Sequence, residues 1–229
     1  MTLKQTIATL CLVAFCGLGF SALAQGDDAS PLAIESFPKT LDKNCGDGLA
    51  RIYDECGDQS AILNAAVAAA RAQNKSVLVV FGSEWCIWCH VFDSYIHGQR
   101  GMHDYKWRAE QDGELVHWPM QEMMDEDIRK DAVALNRYVA EHFVVAHIEA
   151  GADNGRQALE QAGADTSTFY TIPAILRLDA QGRYTGRIPP SDLVEGLQVR
   201  ESGGEEYRGY NRAVLLAQLQ KLVAEKAKP

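Results

Sequence analysis

An α/β fold, with a mixed central sheet and helices on both faces, is predicted by three features of the chain. Two runs, 76-SVLVVFG-82 and 143-FVVAHI-148, are almost continuously apolar, the mark of strands buried on both faces. Each follows a segment whose apolar residues recur at helical spacing. Downstream, 174-AILRL-178, the turn 179-DAQG-182 and 183-RYTGRI-188 read as a hairpin. Strands alternating with helices and then a hairpin imply parallel strands extended by antiparallel ones.

Taken in order, the chain opens with Lys4, an apolar stretch from Ile7 to Phe20, and the small-x-small triplet Ala22-Leu23-Ala24. These are the parts of an export signal, so residues 1–24 are expected to be removed. No later segment is long and apolar enough to cross a bilayer. Residues 25–40 are polar and punctuated by proline, as in a flexible lead-in. A single domain is expected over 41–229. Within it, 59-QSAILNAAVAAARAQ-73 is a helix with Ile62, Ala66 and Ala70 on one face, ended by Asn74-Lys75. The strand 76–82 runs into 83-SEWCIWCHVF-92, and a helix is expected from Cys86 to about His97. Residues 98–127 are polar, aromatic and methionine-rich without clear periodicity, and read as a helical or irregular insertion. Ile128, Ala132, Leu135 and Val139 restore helical spacing before the second buried strand. A short helix near 155–162, the hairpin, a loop holding Pro189-Pro190 and Gly203-Gly204, and a helix over about 211–226 complete the order.

The formal net charge is −9, spread along the chain. With no basic stripe there is no electrostatic footprint for nucleic acid, and the acidity reads as solubility. Of six cysteines, Cys11 and Cys16 leave with the signal, and the remaining Cys45, Cys56, Cys86 and Cys89 allow three pairings. Cys45–Cys56 with Cys86–Cys89 is the most local. Outside the cytosol such pairs oxidise and persist.

The CxxC at 86–89 carries the chemistry. At a strand-to-helix junction its first cysteine sits at the helix N-terminus, where free N–H groups and the helix dipole favour a thiolate. Cys86 is therefore the candidate nucleophile, and Cys89, one turn further in, the resolving thiol. His90, four residues after Cys86, falls on the same helical face and is a candidate for tuning that thiolate.

The segment 77-VLVVFGSEWCIWC-89, the Ile172-Pro173 pair within 171-TIPAIL-176 and the hairpin after it resemble the thioredoxin superfamily. Within that superfamily, the W-C-x-x-C-H-V signature and the insertion are similar to exported thioredoxin-like proteins. The resemblance spans roughly Asp58 to Lys226. It implies a thioredoxin fold, thiol–disulfide exchange with protein substrates and no organic cofactor. It also implies a cis-proline at Pro173 that with Ile172 and Trp85 shapes a substrate groove, a membrane partner that recycles the cysteines, and a bacterial periplasm. The sequence departs from the family in two places. Thioredoxins carry a buried aspartate six residues before the first cysteine, and here that position is Val80, so Glu84 or water would have to accept the proton. The dipeptide Ile87-Trp88 is neither the Gly-Pro of reductants nor the Pro-His of strong oxidants, so the direction of electron flow stays open.

Other readings accompany this one. Structural zinc would need a second ligand pair, and Cys45 with Cys56 more simply pins the N-terminal segment or relays electrons. The insertion and the residue just before it gather His97, Met102, His103, His117, Met120, Met123 and Met124, donors that suit Cu(I) and an exported copper-handling protein. Against that stands a partner-docking surface anchored by Trp107 and Trp118. A thioredoxin-fold binding module with an inert Cys86–Cys89 disulfide is the non-enzymatic alternative. The sequence names neither the recycling partner nor an oligomeric state.

Overall fold

A computed structural model of the chain describes residues 30–42, 44–45, 50–99, 102–108, 115–121, 126–194, 197–202 and 205–224. The elements in chain order are β1 (Ser36–Phe37), α1 (Gln59–Gln73), β2 (Ser76–Gly82), α2 (Ile87–Ile96), β3 (Met102–Arg108) and β4 (Leu115–Gln121). There follow α3 (Glu126–His142), β5 (Phe143–Glu149), α4 (Gly155–Gln161), β6 (Ala174–Leu178), β7 (Tyr184–Arg187), α5 (Pro190–Val194), β8 (Gln198–Ser202), β9 (Glu205–Gly209) and α6 (Arg212–Ala224). The expected export signal, residues 1–24, lies outside the described residues.

The main sheet has the order β1-β5-β2-β6-β7. The first three strands are parallel, with Val80 opposite His147 in the β2–β5 register, and β6 and β7 are antiparallel additions. This is the mixed sheet that the sequence implies. The apolar run of β2 serves two cores because its side chains alternate. Leu78 and Val80 join a cluster with Phe92, Leu135 and Leu219. Val79 and Phe81 join the opposite one with Leu63, Ala66 and Leu159. Helices α2, α3 and α6 therefore cover one face, and α1 and α4 the other. Helix α1 starts where the Asp58 carboxylate accepts from the Ser60 and Ala61 amides at 2.9 and 3.1 Å, and ends on Asn74 in the left-handed region (φ 53°).

Three expectations are corrected. The lead-in is not wholly without structure, because Ser36 and Phe37 form an edge strand beside Val145 and Ala146. Two residues followed by Pro38 leave no periodicity to read. Buried Asn136 ties the segment down further, accepting from the Leu32 amide at 2.7 Å and donating to the Leu32 carbonyl at 3.1 Å. The insertion is not helical or irregular along its described parts. Strands β3 and β4 form an antiparallel pair, with Tyr105 opposite Trp118 and Trp107 opposite Val116. Aromatic and β-branched residues do alternate there, but charged neighbours and Pro119 mask the pattern, and a proline is tolerated on the free edge of a two-stranded ribbon. Likewise the stretch expected as a loop around Gly203-Gly204 carries a helical turn, α5, and the β8–β9 pair. Two glycines between short strands are a hairpin signal in their own right.

Cys45 and Cys56 form a disulfide with Cα atoms 5.9 Å apart, closing a loop over a sequence separation of 11. Opening a loop of that size should cost about 3 kcal/mol through the entropy of the unfolded chain. We expect Cys45→Ser/Cys56→Ser to lose about that much in urea unfolding, measured against the intact protein under identical buffer.

Candidate redox site

Strand β2 delivers the chain to the site and Gly82 ends it. A Cβ on Gly82 would lie 2.5 Å from Cys89 Sγ and 2.5 Å from the Tyr53 hydroxyl, so only glycine fits. Ser83 to Trp85 turn the chain, and Cys86 donates its amide to the Ser83 carbonyl at 2.9 Å. Cys86 is the N-cap of α2, and its sulfur accepts from the Cys89 amide at 3.3 Å. The same amide also donates to the Cys86 carbonyl at 3.0 Å, and with the helix dipole it stabilises negative charge on Cys86 as it develops. Cys86 and Cys89 are joined as a disulfide with Cα atoms 5.3 Å apart, Cys89 fully buried and Cys86 nearly so.

A polar brace holds the turn. The Glu84 amide donates to Glu149 Oε2 at 2.9 Å, and the Glu149 amide donates to Gln59 Oε1 at 2.9 Å. The Glu84 carboxylate accepts from the Ile52 and Tyr53 amides at 3.1 and 3.0 Å. It thus draws the segment behind the Cys45–Cys56 disulfide under the site and seats Tyr53, which is 0% exposed, beside Cys89. His90 Nε2 donates to the Glu84 carbonyl at 2.6 Å and lies 3.4 Å from its carboxylate. Both residues named for tuning are therefore engaged with each other, and Glu84 also with the backbone of the Tyr53 segment.

Deeper in, Asp93 of α2 stands 3.0 Å from His147 Nε2 of β5 and 3.2 Å from His97 Nδ1. Burial opposes charge on Asp93, but His147 and then His97 outweigh it and hold the carboxyl far below the usual carboxylate range. For His97, burial works the other way, and the Asp93 contact prevails and raises its pKa above the ordinary value. The Tyr53 ring meets His147 edge-on, with centroids 5.3 Å apart. At the far end of α2, buried Arg212 donates to the Tyr95 and Gln99 carbonyls at 3.0 and 2.7 Å, a cation where the helix dipole is negative.

An apolar cavity of about 450 Å³ is lined by Trp88, which lies between the two cysteines in sequence, with Ile172, Pro173, Leu193, Val194 and Tyr210, among others. The Ile172–Pro173 peptide bond is cis. Trp88 packs edge-on to Tyr210 at 5.2 Å. Trp85 and Tyr170 are exposed, at 64% and 87%. Ile172 packs against the core cluster that holds Cys86 and Cys89, and Cys45 and Cys56 form a second disulfide. Of the methionine and histidine set, Met102, His103, His117 and Met120 fall on β3 and β4, and Met123 and Met124 lie outside the described residues. His97 is turned to Asp93.

Sequence reading missed Tyr53, Asp93, His147, Glu149 and Tyr210. A signal existed for two of them. Asp93 interrupts the apolar helix 87-IWCHVFDSYI-96 and His147 interrupts 143-FVVAHI-148, and a polar side chain at a core position demands a partner.

Residues 59–102 match the sequence family described as thioredoxin-like. No curated protein matches the chain. Among solved structures, the chain is similar to a disulphide isomerase from Xylella fastidiosa Temecula1, with 21% identity, 63% of this chain and 83% of that chain covered, and a TM-score of 0.39. It is also similar to a DsbH oxidoreductase, with 13% identity, 80% and 97% coverage, and a TM-score of 0.35. The fold is carried by the strand order and the matched segment rather than by these overlays.

Proposed function

We propose that this chain, a member of the thioredoxin superfamily, exchanges disulfides with protein substrates through Cys86 and Cys89. The observation that carries the proposal is the Cys86–Cys89 disulfide at the N-terminus of α2, with the first sulfur on a helix amide and the intervening Trp88 lining an apolar cavity. In the reducing direction, the Cys86 thiolate attacks a substrate disulfide and releases one substrate thiolate. Cys89 then attacks Cys86 Sγ, the mixed disulfide breaks and the second substrate sulfur leaves. Two electrons pass from the pair to the substrate, and the oxidising direction is the reverse. The cavity lined by Ile172 and Pro173 receives an extended apolar segment of the substrate, with Trp85 at its margin. The apolar stretch Ile7 to Phe20 with Ala22-Leu23-Ala24, taken with the family resemblance, supports export to a bacterial periplasm, and there a membrane redox partner restores the cysteines after each turnover.

Equilibration in glutathione and dithiothreitol buffers tests this, with Cys86–Cys89 and Cys45–Cys56 followed separately by mass spectrometry of alkylated peptides. We expect Cys86–Cys89 to interconvert reversibly while Cys45–Cys56 stays closed. A potential near about −270 mV makes the protein a reductant fed by a membrane donor, and one near about −120 mV makes it a donor of disulfides. A Cys86–Cys89 pair that never equilibrates overturns the proposal and leaves a binding module.

A further inference from the structure

Tyr53 is fully buried, yet its hydroxyl has no hydrogen-bond partner among the described residues. An unpaired hydroxyl in a core is costly, and such a group calls for an explanation, of which a redox role is one. A sulfur lies close to it. The Tyr53 oxygen and Cys89 Sγ lie 2.5 Å from the same point, the Cβ position that Gly82 leaves empty. They are therefore no farther apart than twice that distance. In the disulfide the Cys89 sulfur is a weak acceptor, and on reduction it becomes a thiol or thiolate, a far better one.

The surroundings fit the same role. Val80, where the family resemblance would place a proton-accepting aspartate, is apolar and buried, and its register partner on β5 is His147. His147 thus stands one strand across from Val80, 3.0 Å from Asp93 and edge-on to the Tyr53 ring. Around Tyr53 stand Glu84 from the turn before α2, Asp93 from α2, His147 and Glu149 from β5, and Tyr210 from the segment before α6. Burial first, and then the Glu149, Asp93 and Glu84 charges, push the phenol pKa well above its ordinary value. Tyr53 thus stays protonated and acts as a donor, never as the base.

We infer that the Tyr53 hydroxyl donates a hydrogen bond to Cys89 Sγ once the pair is reduced, stabilising the thiolate that resolves the mixed disulfide. Cys89 gives its proton to solvent and the thiolate forms under the Tyr53 O–H. It bonds to Cys86 Sγ as the Cys86–substrate bond breaks, and the departing substrate thiolate takes up a proton from solvent. Glu84, through the Tyr53 amide, and the Cys45–Cys56 staple position the phenol.

The inference rests on the exchange reading, but its test needs no protein substrate. Cys89 is titrated by thiolate ultraviolet absorbance in Cys86→Ser protein, with and without Tyr53→Phe. We expect Tyr53→Phe to raise the Cys89 pKa by about one unit or more, a tenfold or greater loss of thiolate at neutral pH. An unchanged titration overturns the inference. In the unmutated protein, the Tyr53 Cζ carbon-13 resonance should move when Cys86–Cys89 is reduced. A resonance that stays in place overturns the inference even if the variant fails to fold. If the native pair equilibrates with redox buffers while these readouts stay flat, only the tyrosine role falls. If the pair does not equilibrate, the exchange reading itself falls.

Discussion

Cys86→Ser should reduce a protein disulfide no faster than the uncatalysed dithiol reaction, whereas Cys89→Ser should complete the first step and stop. The difference follows from position. Cys86 is the N-cap of α2 with its sulfur on the Cys89 amide, and a serine hydroxyl there cannot replace a thiolate as nucleophile. Cys89 is fully buried behind it and meets only the mixed disulfide. Its loss should leave substrate covalently attached to Cys86, visible as a band of higher mass on a non-reducing gel that collapses with dithiothreitol. Substrate turnover retained in Cys86→Ser would rule out the assigned nucleophile, and a Cys89→Ser variant that traps nothing would rule out the resolving role.

The placement of the cysteine pair was legible because it is local. A CxxC between an apolar strand and a helix defines its own geometry, and β2 and α2 form where the pattern puts them. What supports the pair was not legible, because it is assembled across the sheet. Tyr53 comes from a segment with no regular structure, drawn in by the Glu84 carboxylate and a disulfide. His147 reads as one polar residue in a strand until the parallel register sets it opposite Val80. The β3–β4 and β8–β9 ribbons escaped for another reason. Neither belongs to the five-stranded sheet, so their residues lack the continuous apolar signal of strands buried on both faces. Periodicity reports burial, and it is plainest in strands buried on both faces, as β2 and β5 are.

Asp93→Asn should cost about 3 kcal/mol of stability, the low end of what breaking a buried ionic contact costs, since the amide still offers one oxygen to an imidazole. Asp93 bridges β5 and the end of α2 through His147 and His97, and His97 Nε2 lies 3.4 Å from the Ser36 hydroxyl of β1. Two elements thus meet at one carboxylate, and β1 is linked to it through His97. The loss should depend on pH, with the sign set by the two shifts. Asp93 has its folded pKa below the ordinary 3.8, so its contribution is present above that value and disappears as pH falls through the folded pKa. His97 has its folded pKa above the ordinary 6.5, so its contribution is full below 6.5 and disappears as pH rises through the folded pKa. The stability gap between Asp93→Asn and the unmutated protein should therefore be widest between those two ordinary values and narrow on either side. Urea unfolding at closely spaced pH values reads this directly. A gap that stays constant across the whole range would mean that Asp93 holds the fold by shape and hydrogen bonding alone, without the charge that the two histidines sustain.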